Sequence, residues 1–123
     1  MIELNIPPTL RTAEVSFDSA SGILEFSGIS IPENSDAFFQ PVYTWLEKIQ
    51  PVYKAPLTVR INLTYFNTSS VRHLLIILKA LIAAFRDRIK VEWVYEADDE
   101  EILERGEQLS DVVKFPFTYI TVG

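Results

Sequence analysis

Four consecutive residues, Asn67-Thr68-Ser69-Ser70, bring three hydroxyls and a side-chain amide to the junction between the most regular strand pattern in the chain and its strongest helix pattern. Hydroxyls at such a junction can cap, accepting hydrogen bonds from backbone N–H groups that the first helical turn leaves unpaired. They can also accept a phosphoryl group, because those donors and the positive end of the helix dipole tolerate an added anion there without unfolding. Thr68 is the candidate acceptor. Ser69 and Ser70 are assigned to capping or to shaping that site, and Asn67 to holding the turn that presents it.

Other reactive groupings carry less. His73, the one histidine in the chain, falls on the first turn of the same helix, where a general base beside Ser69 or Ser70 is conceivable. A hydrolase would also need an orienting carboxylate and an oxyanion loop, and neither shows, so His73 reads as a solvated helix-face residue. Asp98, Asp99, Glu100 and Glu101 complement the dipole of a helix start more simply than they hold a metal. The 4 glycines are scattered at Gly22, Gly28, Gly106 and Gly123, so no phosphate cradle and no nucleotide cofactor is expected. Arg72, Lys79 and Arg86 form a positive stripe that reads first as solvated decoration; with Ile76, Ala80 and Ala83 nearby, the same face could dock an acidic partner.

These residues need elements to hold them. Residues 14–18 and 23–28 alternate around a turn-rich connection and predict an opening antiparallel hairpin. Asn34, Ser35 and Asp36 can cap a first helix whose apolar stripe is Phe38, Val42, Trp45, Leu46 and Ile49, with a bend expected at Pro41. Residues 57–65 place Leu57, Val59, Ile61, Leu63 and Tyr65 on one face of a strand. Val71, Leu74, Leu75, Leu78, Leu81, Ile82 and Phe85 follow at helical spacing. A strand over 89–95, a helix beginning at 98–101 and a strand within 115–122 complete the order. Helical crossovers make successive strands parallel, so the expected fold class is α/β: a mixed sheet of four to five strands with an N-terminal hairpin and helices packed on it.

Composition sets the remaining limits. At 123 residues and 48% hydrophobic, the chain predicts one domain spanning 1–123. A net charge of -6 repels nucleic acid and anionic lipid. The longest apolar run, residues 74–85, is broken by Lys79 and falls short of the roughly 20 residues that span a bilayer, so no membrane insertion is expected. Residues 1–12 do not read as a signal peptide, and the lack of cysteine suits a reducing compartment, so the expected location is cytoplasmic.

Two stretches point further. Ser30-Ile31-Pro32-Glu33-Asn34-Ser35, followed by Phe39-Gln40-Pro41-Val42 and Trp45-Leu46, resembles the SiaC family of bacterial regulatory phosphoproteins. Tyr65-Phe66-Asn67-Thr68-Ser69-Ser70 resembles that family's other hallmark, and the similarity runs over about residues 12–117. The resemblance implies a single domain like the STAS fold of anti-sigma-factor antagonists, with no catalysis and no cofactor. It implies that a dedicated serine/threonine kinase phosphorylates Thr68, that a PP2C-type phosphatase reverses this, and that the unmodified protein binds and activates a diguanylate cyclase of the GGDEF type. Cyclic di-GMP and biofilm formation would then rise. An anti-sigma-factor antagonist acting on transcription through the same phosphoswitch is the alternative. Tyr65, Pro32, Glu33 and Asn34 join Asn67, Ser69 and Ser70 as residues expected to shape the phosphosite or touch the partner, since loops gather at the carboxyl ends of parallel strands.

Overall fold

Val15 and Phe17, Leu24 and Phe26, Val59 and Ile61, and Val91 and Trp93 alternate with polar neighbours, and this alternation lays down a sheet with one apolar face. The computed structural model describes residues 2–123 and places six strands in one sheet, in sequence order: β1 Leu4–Ile6, β2 Glu14–Asp18, β3 Ile23–Ser30, β4 Leu57–Phe66, β5 Ile89–Glu96 and β6 Thr118–Val122. The first three pair antiparallel; β3 to β6 pair parallel. Helices α1 Ser35–Ile49, α2 Thr68–Phe85 and α3 Glu100–Val113 make the three crossovers. They lie side by side, α2 in the middle.

The expected count of four to five strands is therefore corrected to six. The additional strand, β1, aligns Leu4 with Phe17 and Ile6 with Val15, and the Trp45 indole N–H donates to the Ile2 carbonyl at 2.6 Å. Three residues before Pro7-Pro8 give too short an alternation to read in advance; pairing with β2 is what makes them a strand. Helix α1 also runs unbroken through Pro41. Ala37 and Pro41 both lie exposed, so the carbonyl that the proline leaves unbonded faces water.

A second correction concerns β4. Leu57, Val59, Ile61 and Leu63 point into the core as expected, but Tyr65 is 57% exposed. The register between β3 and β4 slips between Gly28 and Ile29: Gly28 opposes Leu63 while Ile29 opposes Tyr65. The extra residue, Thr64, inverts the alternation beyond it. Gly28 has φ 106°, a conformation that costs a residue with a side chain. Phe66 turns inward instead and meets Trp93 edge-on at 5.9 Å.

Helix α3 is drawn against the sheet at one point. The Trp93 indole N–H donates to the Ile102 carbonyl at 2.9 Å, and a Cβ on Gly106 would stand 2.5 Å from the indole nitrogen. Gly106→Ala forces Trp93 or the helix to move, outweighing the roughly 1 kcal/mol that alanine adds to helix propensity. A net loss of about 1–3 kcal/mol in denaturant unfolding is expected.

On the sheet face away from the helices, Glu92 lies opposite Arg60, 7% exposed, with the Arg60 Nε at 2.8 Å and the Lys90 ammonium at 3.4 Å. Burial pushes its carboxyl upward, but hydrogen bonds and charge from Arg60 and Lys90 outweigh this and hold it below the ordinary value. A depressed folded-state value stabilises the fold above the unfolded value, about 4.3, and that contribution disappears as pH falls through the folded one. Thermal unfolding of Glu92→Gln should show a lower melting temperature than wild type at neutral pH, with the difference shrinking below about pH 4.

Candidate functional site

The parallel strands β3 and β4 end side by side, so the chain enters α1 and α2 from neighbouring positions. Asn34 and Asn67 cap these helices, accepting from Ala37 N at 3.1 Å and from Ser70 N at 3.0 Å. Asn34 caps as expected, whereas at α2 the cap is Asn67 and not Ser69 or Ser70, because a short side-chain acceptor in extended backbone is what a helix start requires.

Hydroxyls then join the two helix starts. Ser70 is 0% exposed; its hydroxyl donates to the Ser30 carbonyl at 3.0 Å and pairs with the Ser30 hydroxyl at 2.8 Å. The Asn67 N–H donates to the same carbonyl at 3.0 Å. The Ser69 hydroxyl is hydrogen-bonded to that of Ser35 and donates to the Asn67 Oδ1 at 3.1 Å. Among the described residues, the Thr68 hydroxyl alone in the Asn67-Thr68-Ser69-Ser70 motif has no hydrogen-bond partner, and its side chain is exposed.

His73 is not a solvated helix-face residue: it is 5% exposed. Its ring stacks on Phe39 at 4.7 Å, its Nε2 lies 2.9 Å from Asp36 Oδ1, and its Nδ1 lies 2.6 Å from the Tyr43 hydroxyl. The carboxylate accepts, so Nε2 carries the proton and Nδ1 accepts from Tyr43; this tautomer is assigned from the hydrogen-bond partners. Burial and the nearby Asp36 charge raise the Tyr43 phenol above its ordinary value, partly countered by Arg72, and the net rise keeps the hydroxyl a donor. The spacing within α2 that suggested exposure could not reveal that α1 supplies both partners and a ring.

The expected site residues divide between two grooves. Glu33 and Asn34, with Ser35, Asp36, Ser69 and Arg72, line an open polar groove of about 360 Å³. Pro32 is buried beneath this turn, and Tyr65 stands exposed at the end of β4. Thr68 lines the other groove, about 320 Å³ between α2 and α3, with Val71 and Leu75 facing Arg105, Gln108, Leu109 and Val112. The loop at residues 32–34 thus approaches Ser69, while α3 approaches Thr68. Arg105 and its neighbours were missed because nothing in the sequence ties α3 to the start of α2. No grouping of three or more His, Asp or Glu suited to a metal occurs among the described residues.

Comparison with known proteins adds to this geometry. The model for the family described as "SiaC family regulatory phosphoprotein" matches residues 6–122. An uncharacterized protein of Pseudomonas aeruginosa strain UCBPP-PA14 is 33% identical over 119 residues, 95% of this chain and 94% of that protein. A chain in the crystal structure of the diguanylate cyclase SiaD in complex with its activator SiaC, from Pseudomonas aeruginosa, superposes with a TM-score of 0.88 at 32% identity, covering 97% of this chain and 99% of that one. The crystal structure of apo-SiaC from the same species gives 0.83 at 30% identity, with both chains fully covered.

Removing the buried link between the helix starts tests its weight. Ser70→Ala leaves the Ser30 hydroxyl without its partner in a dry position, and a loss of about 1–3 kcal/mol in equilibrium unfolding is expected. Ser69→Ala, at a partly exposed position, should cost less.

Proposed function

The chain belongs to the SiaC family of regulatory phosphoproteins, and from that premise we propose that it is a non-enzymatic, cytoplasmic partner-switching protein controlled by reversible phosphorylation of Thr68. The observation that carries this reading is the free, exposed Thr68 hydroxyl at the first position of α2, flanked by Asn67, Ser69 and Ser70, whose side chains are all engaged. A kinase can reach it. The phosphate would lie against the helix's N-terminal dipole, so the added charge of about -1.5 to -2 leaves the fold intact.

The effector in this reading is a diguanylate cyclase of the GGDEF type, which the unmodified protein binds and activates. Support comes from the likeness to SiaC, which is described as the activator of the diguanylate cyclase SiaD. The surface beside Thr68 is suited to contact: a groove with apolar walls from Val71, Leu75, Leu109 and Val112, and Tyr65 and Ile29 exposed on the adjoining strand ends. A dianion placed at that rim must be desolvated or face a partner's acidic groups, and either effect ejects the partner. A kinase and a PP2C-type phosphatase set the balance. In this reading Glu33, Asn34, Ser69 and Ser70 shape the surface around the acceptor, and the domain is STAS-like.

Titration of a GGDEF cyclase from the same organism with each variant tests the reading. Thr68→Ala should bind and raise cyclic di-GMP synthesis from GTP while resisting the kinase; Thr68→Glu should bind at least about tenfold more weakly, a difference of roughly 1.4 kcal/mol. Equal binding by the two variants contradicts the proposal.

A further inference from the structure

Arg105 sits in a helix otherwise rich in carboxylates, yet it makes none of the ion pairs found among the described residues. Glu101 precedes it by one helical turn, the spacing at which an exposed pair would form. Instead its guanidinium carbon lies 4.9 Å from the centre of the Phe66 ring, and the side chain is half-buried. Stacking occupies the face of a guanidinium and leaves the N–H donors around its edge free. Arg105 lines the same groove as Thr68, which lies two residues beyond Phe66.

Its position is not incidental to the packing. Gly106 lets α3 approach Trp93 closely, and Trp93 in turn meets Phe66, so the ring under Arg105 and the backbone carrying it belong to one packed unit. A planar donor array held by stacking loses little freedom when it binds an oxyanion, and its fork matches two phosphate oxygens. The other cation near Thr68, Arg72, lies 3.7 Å from Asp36 and lines the polar groove on the α1 side.

We propose that Arg105 is the residue that reads phosphothreonine at position 68, pairing with the phosphate across the mouth of the groove between α2 and α3. This rests on the reading that Thr68 is the phosphoacceptor. The phosphate then does more than repel: it bridges α2 to α3 and closes the apolar groove that the unmodified protein leaves open. A carboxylate at position 68, shorter and with half the charge, bridges less well.

Phosphothreonine installed at position 68 during translation allows a test independent of any kinase or cyclase. The second ionisation of the phosphate, ordinarily near pH 6, is followed by phosphorus-31 NMR in wild type, Arg105→Gln, Arg105→Lys and Arg72→Gln. A cation in contact favours the dianion, so the wild-type midpoint should lie about half a pH unit or more below that of Arg105→Gln, with Arg105→Lys between them. Phosphorylation should also shift the Arg105 Nε–H resonance, in Arg72→Gln as in wild type. Equal midpoints in wild type and Arg105→Gln overturn the proposal, as does a rise confined to Arg72→Gln. Circular dichroism of the phosphorylated variants confirms that each is folded. If the midpoints differ as expected but wild-type phosphoprotein still activates the cyclase, the functional reading fails and the assignment of Arg105 stands.

Discussion

The buried Ser30–Ser70 contact is the constraint on which the site depends. Two hydroxyls and one carbonyl, all withdrawn from water, lock the end of β3 to the first turn of α2. A polar cluster of this kind tolerates little displacement, because each group that loses its partner carries a full desolvation penalty. With Asn67 drawn to the same carbonyl and Ser69 to Ser35, the motif has no slack. Thr68 is therefore held outward by its neighbours, and a group added to its hydroxyl meets solvent and the groove beside α3 without disturbing the cap.

The second tie, through His73, extends this rigidity across the helices. Asp36 and Tyr43 come from α1, His73 from α2, and Phe39 fills the space beneath the ring. A buried imidazole with both nitrogens engaged behaves as a structural spacer. It holds the polar groove at fixed width on one side of Thr68 while α3, pinned at Gly106 and Trp93, sets the wall on the other.

What the amino-acid sequence disclosed followed the strength of local pattern. Leu57 to Leu63 alternate strictly and α2 repeats its apolar residues over five turns, so both elements, and Thr68 at their junction, could be placed in advance. β1 escaped notice because three residues cannot establish a period. Strict alternation puts Tyr65 on the face of Leu57, Val59, Ile61 and Leu63 because it carries no record of a bulge, which shows only in the pairing with Gly28 and Ile29 on another strand. His73 and Arg105 were opaque for a related reason: their surroundings come from residues 30 or more positions away, Asp36 and Tyr43 for one, Phe66 and Thr68 for the other. Local periodicity reports which way a side chain points, not what meets it.

The slip at Gly28 and Ile29 couples two properties that usually vary independently. Beyond it, one phase of the strand sends Tyr65 to the surface and seats Phe66 beneath Arg105; the opposite phase would exchange them. Straightening the strand with Thr64 retained would thus invert the chemistry of an entire rim, withdrawing an aromatic from any passing protein and uncovering the core at the same stroke. One bulge decides both which aromatic the rim presents and which one supports Arg105.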